Sequence, residues 1–201
     1  RWPNQGFAPI DSILDPGTSN DRPTTDAPRG GTFRIADRDR LARWAAARDV
    51  WLEGYWHWDW ADDHMPAGRI DADAGTITLG LPHSYGLGTS GRFRVTNIPE
   101  ELDAPGEYWI DTAAARAYLI PPTPTASPTG TEAAQTPEFL VSLLAAPILT
   151  IEGASEVVIE GVVFEAGRAL ALRAMHVDRL RIEGCTFRNT GTGAIELEVV
   201  F

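Results

Sequence analysis

The chain has 201 residues, 43% of them hydrophobic, and a formal net charge of −11, with arginine as every one of its 17 basic residues. That length buries a core without cross-links, as one large or two small domains, while the acidic balance excludes the clustered positive charge of a nucleic-acid-binding surface. The single cysteine, Cys185, excludes an internal disulfide and the paired cysteines of zinc ribbons and redox motifs, and no run of about 18 apolar residues is present to span a membrane.

The first residues, RWPNQGF, have neither the charged start nor the apolar stretch of a secretory signal, and the chain begins on Arg1, so the expectation is a piece of a longer polypeptide. Residues 31 to 120 carry most of the aromatics and several hairpin signals. DRDRLARWAAA predicts a short helix with Asp37 or Asp39 as its cap and Leu41 and Trp44 on one face. RIDADAGTITL predicts two strands around a glycine-bearing turn, RFRVTN a strand, and EYWID with RAYLI a second hairpin. In NIPEEL, Asn97 and Glu100 have the spacing of a capping box, with Pro99 in the first turn of a second helical piece. PPTPTASPTGTEAAQTPE, residues 121 to 138, has almost no bulky apolar residue and reads as a linker or long exposed loop.

From residue 149 the sequence repeats itself. Ile159, Glu160, Gly161 and Phe164 recur as Ile182, Glu183, Gly184 and Phe187, each 23 positions later, and Leu172 recurs as Ile195. Apolar and polar residues alternate within each unit (Val157, Ile159; Leu180, Ile182; Ile195, Leu197), the period of a strand with one face inside. Short strands at this period, separated by glycine turns, predict a parallel β-helix; the alternation excludes helical repeat arrays. The last unit stops at IELEVVF with an open apolar edge, so further coils are expected to follow.

The stretch DVWLEGYWHWDWADDH, residues 49 to 64, holds four of the seven tryptophans. On an extended chain Val50, Leu52, Gly54, Trp56, Trp58 and Trp60 point one way, and Asp49, Trp51, Glu53, Tyr55, His57 and Asp59 the other. The first face has no polar side chain. Its three tryptophans would bury about 500 to 700 Å² together, about 12 kcal/mol as an upper bound, so all three are expected in the core. Trp51, Glu53, Tyr55, His57 and Asp59 form the candidate substrate-binding strip: sugars stack their C–H faces on aromatic rings while carboxylates accept their hydroxyls. The alternative is that this face packs against the repeat array or a neighbouring loop.

His57 and Asp59, about 7 Å apart along a strand, with Asp62, Asp63 and His64 in the following loop, supply ligand types for a metal but no helpful spacing. DADAG, residues 71 to 75, starts like a calcium loop, yet lacks the glycine at the sixth place and has Pro82 where the closing glutamate belongs. Neither metal nor cofactor is therefore expected. GLGTSG has no lysine or following helix pattern to cradle phosphate, no G-x-S-x-G elbow occurs, and Cys185 on a repeat strand reads as a small buried residue. His83 in HSYG is within a loop's reach of a ligand. Glu160 and Glu183 on stacked strands would stand about 4.8 Å apart, near the spacing glycosidic hydrolysis requires, but an outward glutamate ladder on a solvated face is the preferred reading.

RWPNQGF, GGTFR, ARWAAARDVWLEGYWHWDWAD, VTNIPEELDAPGEYWID, RAYLIPP and LTIEGASEVVIEGVVFE, in that order, resemble the bacterial right-handed parallel β-helix proteins that carry an insertion domain of the kind found in glycoside hydrolase family 141. The resemblance implies an all-β chain, a partial right-handed parallel β-helix interrupted by a small antiparallel β insertion domain. Its parts would be an N-terminal β-helix edge segment (1–30), the insertion (31–122), a Pro/Thr-rich linker (123–138) and the first, incomplete coils (139–201). TAAA, Thr112 to Ala115, departs from the family's glycine turn. The resemblance further implies a secreted, extracellular or periplasmic protein acting on plant or other polysaccharides, with the insertion walling a substrate groove. The family's acidic pair is expected on later coils, so no catalytic residue is carried over. A non-catalytic β-helix surface or carbohydrate-binding protein is the competing expectation. A polysaccharide lyase is the third, disfavoured because an acidic, lysine-free chain has little to neutralise a uronate.

Overall fold

The computed structural model describes residues 1–20, 27–122 and 139–198. The chain divides into two compact units, Arg1–Thr131 and Glu132–Phe201. Both are built mainly of β-strands, and the described residues contain one α-helix. No helix among them is long and apolar enough to cross a membrane. The predicted linker at 123–138 lies outside the described residues.

In the first unit the strands are β1 (Ala8–Pro9), β2 (Ser12–Asp15), β3 (Thr32–Arg34), β4 (Trp51–Tyr55), β5 (Asp62–Asp71), β6 (Thr76–Leu79) and β7 (Arg92–Thr96), with helix α1 (Arg38–Ala46) between β3 and β4. They form one curled antiparallel sheet in the order β1-β7-β4-β5-β6-β3-β2. Its inner face carries at least one apolar residue from each interior strand: Phe33, Leu52, Met65, Ile77, Leu79, Phe93 and Val95 are almost wholly buried. The pairings Leu52↔Met65, Leu52↔Val95 and Phe33↔Ile77 set them side by side, as the two-residue side-chain period requires.

Helix α1 closes this core with Leu41 and Trp44, both fully buried. It starts as the sequence predicts, with an Asp37 carboxylate oxygen accepting from the Arg40 amide at 2.9 Å. The indole of Trp44 donates to Glu101 Oε1 at 3.0 Å, and Arg40 Nε reaches the same carboxylate oxygen at 2.9 Å. A buried carboxylate with two donors of this kind is satisfied in charge and in hydrogen bonding.

The predicted β5–β6 hairpin is present, with Asp71 opposite Thr76. EYWID and RAYLI pair as β8 (Tyr108–Asp111) and β9 (Arg116–Leu119), also as expected. Three expectations are corrected. Residues 8–15, assigned to the edge of the repeat array, pair antiparallel with β7 and β3 instead, because the open edges of those strands need partners for their backbone groups. NIPEEL forms a 3₁₀ turn at Pro99–Glu101 without a side-chain cap, since Asn97 is committed elsewhere: it donates to the Asp49 carbonyl at 2.9 Å and accepts from the Ile110 amide at 3.0 Å. Asp62, Asp63 and His64 belong to strand β5 and not to a loop.

The second unit contains β10 (Leu149–Glu152), β11 (Ser155–Glu160), β12 (Val163–Glu165), β13 (Leu170–Met175), β14 (Asp178–Glu183), β15 (Thr186–Arg188) and β16 (Gly193–Glu198). All the pairings among its described residues are parallel, in the ladders β10-β13-β16, β11-β14 and β12-β15. The register joins the residues that recur in the sequence: Ile159↔Ile182, Glu160↔Glu183, Phe164↔Phe187 and Leu172↔Ile195. Phe164 and Phe187 stack face to face, centroids 4.9 Å apart. Gly161 and Gly184 turn the chain at φ of 66° and 60°, which a side chain resists. An open apolar recess of about 260 Å³ is lined by Ala174, Val177, Leu180, Ile182 and Leu197, with Glu198 at its side.

Candidate functional site

Strand β4 lies inside the sheet, hydrogen-bonded to β5 on one side and β7 on the other. Its backbone is fully paired, so the side chains on its outer face stand on a rigid base. Trp51, Glu53 and Tyr55 share that face, as predicted. Trp51 is 43% exposed.

The register sets Glu53 between two basic side chains: His64 lies opposite it on β5 and Arg94 on β7. Arg94 Nη2 approaches Glu53 Oε1 at 3.2 Å, and His64 Nε2 approaches Oε2 at 3.5 Å. The Arg94 guanidinium also lies 4.1 Å over the ring of Phe7. Tyr55 is covered in the same manner, with the Arg92 guanidinium 4.3 Å above its ring and Phe7 edge-on at 5.2 Å. Arg92 in turn pairs with Asp59. The outer face is thus an alternation of rings, guanidiniums and carboxylates, with Trp51 as its open ring.

His57 does not join this surface. Its ring turns against Trp58, centroids 4.6 Å apart, and its Nδ1 is buried with no hydrogen-bond partner. The strand ends at Tyr55, and the chain needs to reverse before β5 starts at Asp62. Trp56 takes the last core position. Its indole lies over Gly54, where a Cβ would come within 2.8 Å of the ring, and donates to the Asp63 carbonyl at 3.2 Å. The backbone then turns, with the Ala61 amide donating to the Trp58 carbonyl at 3.1 Å.

Trp58 and Trp60, expected in the core, are therefore 48% and 68% exposed. Alternation places a side chain only while the chain stays extended, and here the chain has left the strand. Trp60 stands edge-on to Tyr85 at 5.3 Å. His83, from the same loop as Tyr85, is buried, with its Nδ1 3.1 Å from the Gly86 carbonyl oxygen and 3.3 Å from the Tyr85 amide nitrogen; as N–H it donates to the first, and as a bare nitrogen it accepts from the second. Both contacts lie within its own loop.

Among the described residues no group of three or more His, Cys, Asp and Glu side chains is placed to hold a metal ion. Glu160 and Glu183 occupy neighbouring register positions and are both exposed. Sequence reasoning missed Phe7, Arg92, Arg94 and Tyr85. The alternation in RFRVTN put both arginines on one face of a strand, but nothing local in the sequence made β4 its neighbour. Comparison of the chain with protein-family models, with curated proteins and with solved structures found no match.

Proposed function

We propose that this chain is part of a secreted polysaccharide-degrading glycoside hydrolase, in which the antiparallel unit supplies a glycan-recognition surface and the parallel ladders are coils of a right-handed β-helix. The 23-residue register of the ladders and the stacked Phe164 and Phe187 rings support the coil reading. In this reading the apolar recess beside Leu197 seats a further coil stacked in the same register.

The observation that carries the glycan reading is the outer face of β4: the exposed Trp51 ring on a fully paired strand, flanked by Glu53 and the Arg92-covered Tyr55. A pyranose stacks on such a ring by its C–H face, while the neighbouring carboxylates and guanidiniums meet its hydroxyls. Rings held in place before binding lose little freedom on complex formation.

The second reading is a non-catalytic carbohydrate-binding protein, and a specific observation favours it for this portion of the chain. Glu53 and Asp59 are each engaged by an arginine of β7, whereas glycosidic hydrolysis needs a pair of carboxyls turned to the scissile bond. The antiparallel unit is accordingly given recognition and no catalytic residue.

Titration of the chain with xylan-derived and pectin-derived oligosaccharides, followed by tryptophan fluorescence, tests the reading. A saturable change is expected, with Trp51→Ala lowering the affinity for at least one of the two about tenfold. No saturable change with either refutes it.

A further inference from the structure

We propose a second glycan-binding site, distinct from the outer face of β4, at the corner between β4 and β5, where the Trp60 ring, braced edge-on by Tyr85, stacks a neutral sugar. It rests on the glycan-recognition reading above and adds to it a location and a ligand class.

Two tryptophans in one five-residue corner are held in water, Trp58 at 48% and Trp60 at 68% exposure. Exposed indoles on a loose loop would collapse onto the nearest apolar surface. Here the backbone is pinned. The Gly88 amide donates to the Trp56 carbonyl at 2.7 Å, Ser90 Oγ donates to the His57 carbonyl at 3.2 Å, and the Ala61 amide closes the turn on Trp58. Asp59 is anchored by Arg92. Tyr85 then braces the Trp60 ring edge-on at 5.3 Å, itself carried on a loop fastened by the buried His83. The rings are ordered before any ligand arrives, which is the condition under which stacking yields affinity.

The charge of the corner selects the ligand. Asp59 lies within it, paired with the Arg92 guanidinium, and Asp62 and Asp63 follow directly as the first residues of β5. Asp62 and Asp63 are exposed carboxylates that only accept hydrogen bonds. Hydroxyl groups satisfy them, whereas a uronate brings a like charge against them and is repelled. The occupant is therefore an uncharged glycan, with its C–H face on Trp60 and its hydroxyls toward the aspartates.

The experiment uses the full chain carrying Trp51→Ala, which weakens the outer face of β4, and calorimetry at probe concentrations too low to fill that weakened face, with a neutral xylo-oligosaccharide and with an oligogalacturonate. The expected result is one remaining saturable site per chain for the neutral probe and none for the acidic one. Adding Trp60→Ala is expected to weaken that site at least about tenfold, with circular dichroism unchanged because the ring is mostly exposed. Loss of all binding in Trp51→Ala alone overturns the corner site and leaves the first reading intact. Unchanged affinity on adding Trp60→Ala, or equal binding of the oligogalacturonate, also overturns it. A wild-type chain that binds neither probe overturns both.

Discussion

Removing the Glu101 carboxylate tests whether one buried acid ties the helix, the 3₁₀ turn and the N-terminus into a single core. Its side chain is 4% exposed and its Oε1 receives Arg40 Nε at 2.9 Å and Trp44 Nε1 at 3.0 Å. Its backbone carbonyl accepts from the terminal ammonium of Arg1 at 3.0 Å. Arg40 also lies 4.6 Å over Trp2, which packs 5.3 Å from Trp44. In Glu101→Ala the indole N–H, belonging to a fully buried ring, loses its acceptor at a cost of about 1 to 3 kcal/mol. Arg40, at 25% side-chain exposure, recovers part of its solvation and adds about 1 kcal/mol. The expected loss is about 3 kcal/mol, or about 1.5 M off the urea midpoint at a slope of about 2 kcal/mol per molar. Glu101→Gln keeps an acceptor oxygen and is expected to cost about half as much. All seven tryptophans lie in the Arg1–Thr131 unit, so tryptophan fluorescence in urea reports that unit alone. In a Trp44→Phe background the donor is gone, and Glu101→Ala is expected to cost about 1.5 kcal/mol less. A loss under about 1 kcal/mol in the wild-type background, or no coupling to Trp44, refutes the reasoning.

Gly54→Ala places a methyl within 2.8 Å of the fully buried Trp56 ring, which has no open side to move into; a loss of about 2 kcal/mol is expected in urea unfolding, with an altered near-ultraviolet dichroism spectrum, and an unshifted midpoint would show that the ring yields freely. The Asp15 carboxyl is held below its usual range first by its hydrogen bond from the Arg29 side chain and then by the Gly17 amide. A lowered folded value means the contribution is present above the unfolded carboxylate range, near pH 4, and is lost as pH falls through the folded value. Asp15→Asn is therefore expected to lower stability at pH 7 by about 0.5 kcal/mol, a small figure because the side chain is 35% exposed, and to converge with wild type near pH 2. A difference that persists undiminished in acid would contradict this.

What the sequence made legible was whatever repeats or alternates. The recurrence of Ile159, Glu160 and Phe164 at Ile182, Glu183 and Phe187 became a parallel register because stacked units bury the same positions against each other. The cap of α1 and the β8–β9 hairpin are local, and local chemistry decided them. The strand pairing of residues 8–15 is not local. β1 is two residues long, too short to show a period, and its partner β7 comes only after β2 to β6 in the sequence. Asn97 was misread for a similar reason: its side chain satisfies backbone groups of Asp49 and Ile110, which only the folded chain brings near.

The candidate surface shows the same division more sharply. Which residues share the outer face of β4 followed from alternation, but what those residues do there is set by β7, and through it by arginine in particular. Arg92 places a flat cation over Tyr55 and at the same time donates to Asp59, a residue of the β4–β5 corner. A lysine ammonium has no planar face for the first task while forking toward the second, and the chain contains no lysine. One guanidinium thus joins the strand's outer face to the corner that holds Trp58 and Trp60. Because that corner is fixed to β7 by an ion pair and to the segment before β7 by the Gly88 amide and the Ser90 hydroxyl, its exposed tryptophans are a feature of the packed sheet and not of a loop that failed to find the core.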